Sequence, residues 1–224
     1  MKLLDRKQMA WRAAQDIADG MYVNLGLGMP MTAANYTPRD RDVFYQTENG
    51  ILGLGPSATT ETKDLDLVAP GGTFVTLREG AALFTSVDAF AMMRGGHLDL
   101  TLLGGYQVSA SGDLANWDTV GSDRAPLIGG AMDLAVGAKQ VWVIMDHTTR
   151  DGEPRLVKIC TYPLTATGTV NRVYTNMAVV DVTAEGFVAR EIIDGMSVAD
   201  LQAATGAPIV ATSNCRVLTA PTIA

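Results

Sequence analysis

Short apolar runs, each bordered by glycine, set the strongest limit on how this sequence folds. Residues 21–25 run into Gly26-Leu27-Gly28, residues 98–103 run into Gly104-Gly105, and residues 140–145 are nearly all apolar after Gly137. Runs this short and this apolar suit strands buried on both faces. Helix signals alternate with them. Residues 5–19 start at Asp5, carry Gln8 three positions on, and stop at Gly20, the pattern of a capped helix. Residues 31–36 and 88–94 predict two more helices, and residues 43–46 and 74–77 two more strands. The alternation predicts an α/β fold, an open and mostly parallel sheet with helices on both faces. The last third predicts a C-terminal hairpin (178–182 with 187–192) and a helix opened by Ser197 and Asp200 and ending near Gly206. The tail after Pro208 is polar and is expected to be loose. No repeat or linker interrupts the chain, so its 224 residues predict one domain, 1–224.

Several function classes drop out at this stage. A formal charge of −7 opposes non-specific nucleic-acid binding and a polybasic membrane contact. Asp5, Arg6 and Lys7 interrupt any signal-like apolar start, and no run approaches ~18 apolar residues. The expectation is a cytoplasmic protein in a reducing compartment. Two cysteines and two histidines, none at ligand spacing, predict no metal site. No Gly-x-Ser-x-Gly elbow is present. Gly26-Leu27-Gly28 lacks the third glycine of a dinucleotide turn, with Met31 in its place, and Pro30 removes a backbone donor. The turn reads instead as a tight strand-to-helix connection at a pocket mouth.

Glu48 is the most informative single residue. It follows the apolar strand 43–46 and precedes Asn49-Gly50, a pair suited to a tight left-handed turn. A carboxylate beside Ile51 and Leu52 is partly desolvated, which raises its pKa, while backbone N–H donors lower it again. From position alone, Glu48 reads equally as a turn-capping carboxylate or as a reactive one.

Residues 46–56, Gln-Thr-Glu-Asn-Gly-Ile-Leu-Gly-Leu-Gly-Pro, resemble the Ser-Glu-Asn-Gly signature of the 3-oxoacid CoA-transferases, on their B (β) subunit or the corresponding C-terminal half of fused enzymes. The resemblance continues through residues 23–30, 90–97, 112–117, 129–134 and 160–165, covering about 5–208. Thr47 stands where the family usually has Ser and keeps the hydroxyl. Tyr45 stands where Leu or Phe is usual.

The resemblance implies that Glu48 is a nucleophile that carries CoA as a glutamyl thioester. It also implies CoA and acyl-CoA as substrates, no tightly bound cofactor, and a partner A (α) subunit in an α2β2 or other heterooligomer. Both attacking groups are anions, so a shortage of His and Cys is no obstacle. Donors for the tetrahedral oxyanion are required. Asn49, Gly50, Gly129, Gly130 and Ala131 are the candidates, with a packing turn an equal reading of the 129–131 segment. Residues 145–148 and 160–163 are worded most like the branch that moves CoA from succinyl-CoA to 3-oxoadipate, ahead of acetoacetate or short-chain acids. A dicarboxylate needs a cation for its distal end, and Arg94 and Arg124 are the candidates. Two other classes stay open: a sugar-phosphate isomerase-like or ligand-sensing domain, which would need a basic pocket, and a non-catalytic scaffold.

Overall fold

The computed structural model describes residues 2–121, 126 and 128–223. Its strands are β1 (Tyr22–Leu25), β2 (Phe44–Gln46), β3 (Ile51–Ser57), β4 (Val68–Ala69), β5 (Thr73–Leu83), β6 (Leu100–Gly104), β7 (Gln107–Ser109), β8 (Leu114–Ala115), β9 (Val141–Ile144), β10 (Leu156–Val157), β11 (Val170–Tyr174), β12 (Ala178–Thr183), β13 (Gly186–Ile193) and β14 (Ile209–Leu218). The helices are α1 (Arg6–Ala14), α2 (Ser86–Arg94), α3 (Ala131–Gly137) and α4 (Val198–Ala203), with a 3-10 helix at Pro30–Tyr36.

Eleven strands form one sheet in the order β14-β13-β12-β11-β9-β6-β1-β2-β3-β5-β4. The five central strands, from β11 to β2, are parallel. Antiparallel pairs flank them on both sides. The expected parallel sheet is therefore the centre of a wider mixed one. The strands β10-β7-β8 make a small second sheet.

The central strands alternate their side chains between two cores. Leu100, Leu102, Trp142 and Ile144 pack with Met9, Ala10 and Ala13 of α1. Leu103, Val141 and Val143 pack with Met93 of α2, Leu134 of α3 and Leu201 of α4. Each face is thus covered by helix, as buried parallel strands require.

Local chemistry explains both ends of α1. Asp5 and Gln8 close the expected capping box, with Gln8 N–H donating to Asp5 at 2.9 Å and Asp5 N–H to Gln8 at 3.0 Å. The helix is shorter than residues 5–19, because Arg41 donates to the carbonyls of Gln15 and Ile17 and draws them out of a helical ladder. Glycine-spaced β3 is a strand that the sequence does not suggest. Gly53 lies so close to β5 that a Cβ there would meet Ala81 Cα at 3.0 Å.

The loose tail expected after Pro208 is corrected. Residues Ile209–Leu218 form the edge strand β14, parallel to β13. Its polar residues face outward, and Arg216 on it pairs with buried Glu191 of β13.

Candidate active site

Chain order reverses at β1. From it the chain moves to β2 and β3 on one side, then returns to β6 and β9 on the other. The carboxyl ends of strands beside such a reversal are where open α/β sheets bind ligands. A cleft of 440 Å³ lies there, within the usual size range for small-molecule sites. Gly26 after β1, Glu48 after β2, Gly104-Gly105 at the end of β6 and Asp146 after β9 all line it.

Glu48 is half-buried. Burial pushes its carboxyl above the usual range, a backbone hydrogen bond from Gly130 opposes that, and the charge of Asp133 adds to the rise. Gly130 precedes α3, and with Gly129 and Ala131 it forms the cleft wall facing Glu48. These four residues, named as candidates from the sequence, are brought together.

The turn that carries Glu48 is tightly tied. Thr47 N–H donates to the Ile51 carbonyl at 2.8 Å. The Thr47 hydroxyl accepts from Ile51 N–H at 3.0 Å and donates to Asn49 Oδ1 at 2.7 Å. Asn49 Nδ2 in turn donates to the Val68 carbonyl at 2.6 Å. Gly50 sits at φ +98, and a side chain there would collide with the Phe84 carbonyl. Neither Asn49 nor Gly50 lines the cleft; the structure uses both to shape the turn.

The arginine candidates fare differently. Arg94 ends α2, pairs with Asp133 at 2.6 Å and lies outside the cleft lining. Arg124 lies outside the described residues. His147 and Cys160 also have settled roles. His147 is fully buried between the hydroxyls of Thr175 and Thr205, at 3.0 and 2.9 Å, and burial pushes its pKa down to about 4. Burial pushes the Cys160 thiol up to about 11. Neither offers a base or a thiolate at neutral pH. At the cleft the half-buried Glu48 carboxylate faces a backbone donor from Gly130.

Residues 6–204 match the family Coenzyme A transferase. The chain belongs to the coenzyme A transferase family.

Two curated relatives of this transferase chain are the B subunits of 3-oxoadipate CoA-transferase from Pseudomonas putida and Acinetobacter baylyi. The first is 51% identical over 93% of this chain and 98% of its own length. The second is 49% identical over 92% and 95%. Among solved structures, an acyl-CoA transferase apoenzyme from Escherichia coli O157:H7 superposes with a TM-score of 0.76 at 19% identity, covering 98% of this chain and 44% of that one. At that identity it supports the α/β fold alone.

Sequence reasoning missed part of the transferase cleft. Arg6, Tyr106, Asn116, Asp146 and Arg155 also line it. Asp146 had a readable signal, since it follows strand β9 as Glu48 follows β2. Asn116 had none. It arrives from β8 of the small sheet, where its Nδ2 donates to the Gly104 carbonyl at 3.1 Å and its Oδ1 accepts from Thr165 at 2.6 Å.

Proposed function

We propose that this chain is the Glu48-bearing half of a two-part transferase that moves CoA from succinyl-CoA to a 3-oxo acid, with 3-oxoadipate preferred. The observation that carries the reading is the Glu48 carboxylate, half-buried at a parallel-strand end and hydrogen-bonded by the backbone of Gly130. Glu48 attacks the thioester carbonyl, giving an acyl–glutamyl anhydride and CoA thiolate. The thiolate attacks the glutamyl carbonyl, releasing the first acid and leaving CoA on Glu48 as a thioester. The acceptor carboxylate then runs the two steps in reverse and regenerates the Glu48 carboxylate. Each nucleophile is an anion already, so the step needs oxyanion donors and a dry site more than a base.

The need for a dry site supports a partner, an A (α) subunit that joins this chain in an α2β2 assembly. Leu27 and Ile128 line the cleft yet are 56% and 47% exposed. Apolar side chains bordering a half-open cleft are suited to cover by another surface. The 3-oxoadipate preference rests on the names of the relatives about half identical over nearly the whole chain. It rests also on the wording of residues 145–148 and 160–163. No tightly bound cofactor enters this scheme.

The test uses the enzyme assembled with its α partner. Incubation with acyl-CoA and no acceptor accumulates an enzyme–CoA thioester, and peptide mapping places it on the peptide containing Glu48. Glu48→Gln abolishes nearly all turnover with the fold intact. Glu48→Asp is also severely impaired, because the oxygen retracts by one methylene from a reaction that tolerates little misplacement. An adduct on another peptide, or substantial turnover by Glu48→Gln, returns Glu48 to a turn-capping role. A tenfold preference in kcat/KM for acetoacetate over 3-oxoadipate reverses the substrate ranking.

A further inference from the structure

We propose that Arg155 holds the distal carboxylate of a dicarboxylic acid whose other end reacts at Glu48, and so sets the preference for such acids. The inference rests on the CoA-transfer reading of the cleft and names the residue that would determine its specificity.

Arg155 lines the same cleft as Glu48 and also a small groove beside it, which Tyr106 and Glu153 line too. It is half-buried. Other arginines are engaged: Arg12, Arg78, Arg94, Arg172, Arg190 and Arg216 each have a carboxylate partner. The Arg155 guanidinium has no ion pair or side-chain hydrogen bond among the described residues. A guanidinium carries five donors and no acceptor, and its fork matches a carboxylate. A half-buried fork with none of those donors used, in the wall of a ligand-sized cleft, is poised for an anion.

The backbone that carries it is fixed. Arg155 N–H donates to the His147 carbonyl at 3.0 Å, and its own carbonyl accepts from Val108 N–H at 3.0 Å. His147 is locked in turn by Thr175 and Thr205. A rigid base limits the positions from which the side chain can reach into the cleft. Arg6 also lines the cleft, but it is exposed at the first turn of α1 and has no such support.

The spacing suits a two-ended substrate. Glu48 leaves the sheet at β2, and Arg155 is tied to the segment just after β9. β9 and β2 are three inter-strand steps apart, roughly 14 Å. A six-carbon dicarboxylate, met from either side by the Glu48 and Arg155 side chains, fills such a span. A monocarboxylic 3-oxo acid leaves the guanidinium unmatched.

The experiment compares the assembled wild-type enzyme with Arg155→Gln, Arg155→Lys and Arg6→Gln, using 3-oxoadipate and acetoacetate as alternative acceptors for one acyl-CoA donor. In a double-displacement reaction kcat/KM for the acceptor reports only the acceptor half. Arg155→Gln lowers the ratio of kcat/KM for 3-oxoadipate to that for acetoacetate at least tenfold. Arg155→Lys, which keeps the charge and loses the fork, lowers it less. Succinate also loses its advantage over butyrate as an inhibitor in Arg155→Gln. Equal loss for both acids, an unchanged ratio, or a selective loss in Arg6→Gln alone overturns the proposal. Failure of the wild type to transfer CoA at all would instead sink the reading on which it rests.

Discussion

A methyl group placed on Gly130 would stand 2.9 Å from Cδ of Glu48 and 3.0 Å from each of its carboxylate oxygens. Gly130 has φ −86 and ψ 8, a conformation open to any residue. It is glycine because of what it touches: the absent side chain lets the backbone donor reach the carboxylate.

Gly130→Ala therefore tests contact geometry without disturbing the backbone. The alanine methyl forces Glu48 aside, and a displacement of about 1 Å at a reacting group costs on the order of 100-fold in rate. We expect kcat/KM to fall by about that factor with the thermal midpoint little changed. Steady-state kinetics and a melting curve on the assembled enzyme decide it. Near-wild-type turnover would show that the close approach of Gly130 to Glu48 is not needed for the reaction.

The pH profile follows from the charges around Glu48. Burial raises its pKa, and the Asp133 carboxylate raises it further. In the proposed mechanism the ionised form of Glu48 attacks, so kcat/KM is expected to fall as pH drops through that raised pKa. Asp133 is held by Arg94, which gives Arg94 an indirect bearing on the nucleophile. Asp133→Asn removes the like charge and frees the Arg94 cation, and both effects favour ionised Glu48. The acidic limb of the profile is expected to move to lower pH. A limb that stays put or moves up contradicts the assignment of Glu48 as the group that titrates.

The parts of this fold that the sequence announces are those where local chemistry and tertiary packing agree. The capping residues Asp5 and Ser197 read correctly because a cap depends only on near neighbours. β1, β6 and β9 read correctly because strands buried on both faces must be apolar. Glu48 and Gly130 could each be singled out, since one follows a strand and the other sits in a glycine pair. Their meeting could not be read, because 82 positions separate them and only the folded sheet brings them together. β3 was hidden by its glycines, whose close approach to β5 is a tertiary fact. β14 was hidden because an edge strand needs few apolar residues. The partner of Arg94 was hidden for a related reason: only the fold brings Asp133 of α3 to an arginine beside Gly95-Gly96.

His147 yields a prediction about stability rather than catalysis. Burial holds its folded pKa at about 4, against 6.5 when exposed. Between those values the unfolded chain binds the extra proton, so stability is full above about pH 6.5 and declines as pH falls toward 4. A shift of that size corresponds to on the order of 3 kcal/mol when fully expressed. Urea unfolding at pH 7 and pH 4.5 should show a steeper loss for the wild type than for His147→Gln, which has no imidazole to charge. Parallel losses in the two proteins would mean that His147 is not the group responsible.

The C-terminal strand offers a sharper test, because its tie to the sheet is a charge cluster. Glu191 on β13 is 4% exposed and takes two bonds from Arg12 of α1, at 2.7 and 2.8 Å, and one from Arg216 of β14. Burial alone would raise the Glu191 carboxyl, but the hydrogen bonds and charges of Arg12 and Arg216 hold it below the usual range. Removing the carboxylate leaves the buried Arg12 with Asp16 as its one ionic partner among the described residues. Breaking a buried pair from one side costs about 3–5 kcal/mol. Arg216 has 67% of its side chain in solvent, where an ion pair contributes about 0–1 kcal/mol. Glu191→Gln should therefore destabilise the protein by about 3 kcal/mol, and Arg216→Ala by less than about 1 kcal/mol. The Glu191 contribution is present above the unfolded carboxylate pKa and is lost as pH falls through the lower folded one, so the gap between wild type and Glu191→Gln narrows in acid. Urea midpoints at pH 7 and pH 3 measure both effects. If Glu191→Gln costs no more than Arg216→Ala, the cluster is a surface decoration, and the docking of β14 must come from its backbone ladder with β13 and from the burial of Ile209 and Leu218.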